Sequence, residues 1–152
     1  MTATALSPSE LAQSAGEAYH RALELTLQRA VNCHEADQLS DAEQLYRSVL
    51  QAQSEHPEAN HNLGVLLLEM QKFEASLPYF EAALMAKPEL GRYWLNYIDA
   101  LILAGQTGLA QRTLAFGREH GLEGDAADAL ARILETGQKA NKPAHAAQAL
   151  HV

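Results

Sequence analysis

The sequence predicts an all-α chain, folded as a right-handed α-solenoid of three helix pairs with an N-terminal helical extension and a C-terminal capping helix. Three observations carry this. The chain aligns with itself at an offset of 34 residues, and such a period marks a stacked repeat of one helical hairpin. Within each repeat the apolar residues recur at helical spacing, as in Leu63, Leu66, Leu67 and Met70, or Leu77, Phe80 and Leu84. Alanine supplies much of the 47% apolar content while aromatic residues make up only 6%, a balance that favours helix over sheet.

Residues 1–7 read as a disordered N-terminus. Ser7 and Glu10 form a capping box with Pro8 just inside it, so a helix is expected to begin near Pro8. Residues 8–22 make the N-terminal extension; Gly16 leaves open whether it is a separate helix or a lengthening of the next one. Blocks 23–56, 57–90 and 91–124 then superimpose. Ala30, Gly64 and Ile98 share a column, as do Ala42, Ser76 and Ala110, and Val49, Ala83 and Gly117. Bulkier columns interleave with them: Cys33, Leu67 and Leu101; Leu39, Phe73 and Thr107; Tyr46, Phe80 and Leu114. Small residues let paired helix axes approach while large ones fill the flanks. Ile98 is large in a small column, and Gly117 is expected to make room for it.

Each block breaks into two helices at residues 36–39, 70–72 and 104–107, where Asp37 and the pair Gly105 and Gly108 are the turn residues. Pro57 opens the second block and Pro88 closes it. Pro78 is awkward, because a proline inside a helix costs about 3 kcal/mol. A helix starting near Phe73 or Glu74 reduces that cost by placing Pro78 close to the first turn. Residues 125–135 form the capping helix through Ala126, Leu130, Ile133 and Leu134. Residues 136–152 carry Lys139, Lys142 and Pro143 without a sustained apolar face, and read as a flexible tail or linker.

These blocks resemble the tetratricopeptide repeat. The middle one, NHNLGVLLLEMQKFEASLPYFEAALMAKP, carries Leu63, Gly64, Leu67, Phe73, Phe80, Ala83 and Pro88 of the pattern. The third adds Trp94, Leu101, Ala110 and Leu114, and the first the run DAEQLYRSVL. Arg29 departs from it, standing where an apolar residue is expected. The resemblance implies three tetratricopeptide repeats over residues 23–124 and a scaffold that binds protein. The third block is also similar to segments of bacterial arrays that precede transferase domains of the O-linked N-acetylglucosamine transferase type. That likeness implies, as an alternative, a substrate-docking region separated from its catalytic domain.

Catalytic chemistry finds little support. His34 and Glu35 begin a zinc-protease motif, but Gln38 stands where the second histidine is needed, so the pair reads as a polar helix end. His56 and His61 are five apart and point to different helix faces; His56 reads as an N-cap and His61 as a groove residue. Gly105 to Gly108 lacks the lysine and hydroxyl residue of a phosphate loop, and Cys33 and Trp94 read as packing. No nucleophile and base constellation, metal site or cofactor site emerges. The formal charge of −8 disfavours nucleic acid and anionic membrane. The single cysteine, the absence of an apolar stretch of signal-peptide length and the absence of a spanning segment point to the cytoplasm.

A concave groove is then the expected site, since stacked hairpins curve and their first helices line one face. Its central column is Gln28, Asn62 and Asn96, whose amides can engage a peptide backbone. Such an asparagine ladder is what the resembling transferase arrays use; asparagine there also serves helix-to-helix hydrogen bonds. Leu27, Val31, His61, Val65, Arg92, Leu95, Asp99 and Ile102 complete the groove. The clamp for a terminal carboxylate found in some relatives is not expected, because only Asn62 and Arg92 match it. Three amide hydrogen bonds give at most a few kcal/mol, and roughly 8 are needed for micromolar binding. Apolar contacts or weak self-association must supply the rest.

Overall fold

Start signals written in the sequence decide where the helices begin. The Ser7 hydroxyl accepts from the Glu10 amide at 3.3 Å, and the Glu10 carboxylate accepts from the Ser7 amide at 2.7 Å. Two otherwise orphaned donors are thereby satisfied. From this box α1 runs unbroken over Pro8–Glu35, followed by α2 Leu39–Ala52, α3 Pro57–Glu69, α4 Phe73–Ala86, α5 Gly91–Leu103, α6 Thr107–Glu119 and α7 Asp125–Thr136. The computed structural model describes residues 6–137; the readings of residues 1–5 and 138–152 lie outside them. All seven helices are α, and no strand occurs among the described residues. Residues 8–22 are thus one continuous helix with the first block.

Three stops are built alike. Asp37, Gln71 and Gly105 each adopt a positive φ of 60°, 59° and 76°, and they stand 34 residues apart. After each, the next amide donates back to a carbonyl five residues earlier: Gln38 to Cys33 at 2.9 Å, Lys72 to Leu67 at 2.8 Å and Gln106 to Leu101 at 2.8 Å. This left-handed closure satisfies carbonyls at the helix end. It turns each second helix back along the first, so the pairs are antiparallel. Gly108 takes no part in the turn; it is the second residue of α6.

Packing is serial. Each helix from α1 to α6 packs on the next, while α1, α3, α5 and α7 also touch one another in sequence. One apolar cluster joins α1, α2 and α3 through Leu23, Leu27, Ala30, Tyr46, Leu63 and Leu67. Val65, Leu68, Phe80 and Ala100 bridge α3, α4 and α5. A third cluster joins α5, α6 and α7 through Trp94, Ile98, Leu101, Leu114, Ala127 and Leu130. The helix at the middle, α3, is buried on every side from Ala59 to Leu68.

Close approach explains the small-residue columns. A Cβ added to Gly64 would lie 2.9 Å from the Phe80 ring, which is fully buried. At Gly117 it would meet Leu122 at 3.0 Å and Trp94 at 3.1 Å, so the room there is taken first by these two rather than by Ile98. Pro78 is the sixth residue of α4, beyond the first turn, and so removes a hydrogen bond to the Glu74 carbonyl. The helix passes through it because Ser76, Phe80, Ala83 and Leu84 are buried around it.

Two glycine substitutions should therefore move stability in opposite directions. Gly64→Val is expected to cost about 1–3 kcal/mol by overpacking against Phe80. Gly16→Ala, in an exposed stretch of helix with nothing within 4 Å, is expected to gain about 0.5–1 kcal/mol. Urea unfolding of both variants checks this; a stable Gly64→Val chain would contradict the close approach.

Candidate functional site

The columns of the expected groove do not stand open to solvent. Of the eleven residues, Leu27, Val31, His61, Asn62, Val65, Asn96, Asp99 and Ile102 are buried, and only Gln28, Arg92 and Leu95 reach the surface. Gln28 is exposed, and its Nε2 donates along α1 to Asn32 Oδ1 at 3.0 Å. Asn62 is fully buried beside the Tyr46 hydroxyl. The Asn96 amide nitrogen meets His61 Nε2 at 3.4 Å. Asn62 and Asn96 are thus interior while Gln28 is outside, so the three amides do not form one solvent-facing ladder. The physical reason is the contact of α3 with both α1 and α5, which closes these positions over α3.

What the interior holds is a polar seam between the first helices. His61 stacks on Tyr93 with ring centroids 4.4 Å apart and meets Phe80 edge-on at 5.7 Å. One pair further back, His34 Nε2 lies 2.7 Å from Glu69 Oε2, tying α1 to α3, and its Nδ1 is 3.4 Å from the Tyr46 hydroxyl. Burial pushes the Tyr46 phenol well above its ordinary range, with Glu58 adding to it, and raises that of Tyr93 against the opposing pull of Arg92. Both rings therefore stay neutral. His34 was expected at a polar helix end but is buried. The signal was present: it shares its 34-residue column with Leu68 and Ile102, both buried. The His56 expectation agrees with the geometry, since its side chain accepts from the Ala59 amide at 3.3 Å.

Among the accessible recesses of the described residues, two are lined by side chains of α5. One, of about 500 Å³, lies at the N-terminal ends of α3 and α5 and is lined by the column Glu24, Glu58 and Arg92, with His20, His56 and Lys87 beside it. Its charges are mixed in sign. Burial holds the Glu58 carboxyl above its usual range, with His56 pulling the other way. The second, of about 730 Å³, lies between α4, α5 and α6. Trp94, Tyr97 and Leu84 line it, Met85 and Phe116 stand at its edge 78% and 53% exposed, and Glu81 and Arg112 flank it. The Trp94 indole donates to the Pro88 carbonyl at 2.7 Å, which fixes the ring. The sequence columns could not reveal this cleft, because its walls come from different repeats.

Among the described residues no group of three or more His, Cys, Asp or Glu side chains is placed to hold a metal ion. No helix among them is long and apolar enough to cross a membrane. Asn96→Ala, which deletes the buried contact with His61, is expected to lower stability by about 1–3 kcal/mol. Thermal and urea unfolding check it, and an unchanged midpoint would mean that the amide is not part of the interior. No family model matches the chain, and no curated protein matches it.

Proposed function

We propose that the chain is a non-catalytic protein-interaction module, built as a right-handed solenoid of three tetratricopeptide-type hairpins over residues 23–124. The repeat reading is supported by the turns at Asp37, Gln71 and Gly105, which share one closure at a 34-residue interval. It is supported also by the serial packing, in which each hairpin leans on its neighbours.

The observation that carries the binding function is the cleft between α4, α5 and α6. A monomeric surface rarely leaves large apolar side chains grouped around a recess unless something docks there. Trp94 forms a rigid wall, and Met85 and Phe116 offer adaptable and aromatic contact at the edge. An extended or helical partner segment that seats apolar side chains in this cleft gains the area that the amide column cannot supply. Arg92, Leu95 and Gln28 remain as the surface portion of the concave side.

Site-specific photocrosslinking in cells tests the assignment. A photoreactive residue at Phe116 is expected to capture a discrete protein partner, and one at the exposed Gln44 of α2 is not. Crosslinks that arise from Arg92 or Leu95 but not from Phe116 would return the site to the concave side. Crosslinks equal at Gln44 and Phe116 would remove the cleft from the function.

A further inference from the structure

The first half of α1 has an apolar face that no other described residue buries. Residues 6–22 are all exposed, and the first buried position of α1 is Leu23. Among the described residues, the hydrogen bond from the Tyr19 hydroxyl to the Ala52 carbonyl, at 3.0 Å, is the one that ties this stretch to the rest. Leu11, Tyr19 and Leu25 are 55%, 50% and 61% exposed.

Their arrangement is ordered. Leu11, Ala15, Ala18, Ala22 and Leu25 follow one another at intervals of four, three, four and three, the spacing of a two-helix seam. At 3.6 residues per turn they fall within a sector of about 80°. The side of α1 that packs inward, through Leu23, Leu27, Ala30, Val31 and His34, is a different one. Pro8 and Arg29 end the seam. Glu10, Ser14, Glu17 and Arg21 run along one edge of it, and the described residues pair neither acid with a base across helices.

We propose that this face is a dimer interface, occupied by α1 of a second copy of the chain lying antiparallel. Antiparallel pairing about a two-fold axis near Gly16 and Glu17 sets Leu11 over the partner's Ala22, and Ala15 over the partner's Ala18. Large residues then sit on small ones and the backbones approach closely. The edges are self-complementary: Arg21 faces the partner's Ser14, with the partner's Glu10 and Glu17 one turn to either side. Parallel pairing offers Arg21 no acid, setting it against the partner's Thr26. Charge complementarity therefore selects a second copy in the reversed direction. A two-fold contact uses the same patch on both subunits and closes at the dimer. From Leu11 to Leu25 the seam is only about 21 Å long, so it covers well under the ~800 Å² per partner of a standard interface. The dimer is weak and concentration-dependent.

Analytical ultracentrifugation of the full chain, from about 1 µM to about 1 mM, tests this. The wild type is expected to move from the 16.5 kDa monomer towards twice that mass. Ala18→Arg should remain monomeric throughout with an unchanged helical circular dichroism spectrum. Arg21→Glu should weaken the dimer several-fold, and adding Glu10→Arg and Glu17→Arg to it should restore the association, which a parallel pair would not do. Phe116→Ser should dimerise like the wild type. A wild type that stays monomeric at the highest concentration would overturn the proposal. So would an Ala18→Arg chain that dimerises normally, a charge swap without rescue, or a Phe116→Ser chain that loses the dimer, the last placing α1 in the α4–α6 cleft of the second copy.

Discussion

The fold depends on how closely α4 approaches α3. Gly64 sits against the Phe80 ring at a distance that leaves no space for a Cβ, and Ser76 and Ala83 on the same helix are also fully buried. That approach lets α3 be enclosed from Ala59 to Leu68. Once α3 is enclosed, its neighbours inherit their positions. Leu63 and Leu67 pack towards α1 and α2, and Val65 and Leu68 towards α4 and α5. The energetic logic is that of any close-packed interior, where apolar burial stabilises and every misplaced methyl group is felt.

Enclosing α3 also decides which surfaces can act. The positions between the first helices become interior, and their polar residues are used for internal order: His61 on Tyr93, Asn96 on His61, His34 on Glu69. Polar side chains of this kind fix how neighbouring helices register, because a misaligned buried amide loses its partner. On the proposed reading, recognition falls to recesses between helices of successive pairs. The recess between α4 and α6 is such a place, and its most exposed apolar side chains, Met85 and Phe116, stand outside the 34-residue columns.

The repeat and its helices were legible because period and polarity are local properties. Capping at Ser7, the proline starts at Pro8 and Pro57, and the stop after Ala86 all follow from residue types whose backbone chemistry is narrow. The break at residues 70–72 was legible from the period, but that Gln71 takes the positive φ there was not. Nothing in glutamine favours a positive φ; the backbone closure from the Lys72 amide to the Leu67 carbonyl accompanies it, as the equivalent closures accompany Asp37 and Gly105. The exposure of the groove was not legible either. A helical wheel tells which residues share a face, but whether that face meets solvent depends on how near α1 and α5 come to α3, a tertiary quantity. The buried position of His34 is the counterexample, since its column neighbours Leu68 and Ile102 already announced an interior site.

Native-state hydrogen exchange followed by residue tests the central role of α3 most directly, because amide protection reports how far the structure must open around each helix. With α3 as the enclosed centre, the amides of Ala59 to Leu68 exchange last, those of α7 sooner, and those of residues 9–18 in the exposed part of α1 first. If the α3 amides exchanged as fast as those of α7, the chain would not be organised around that helix.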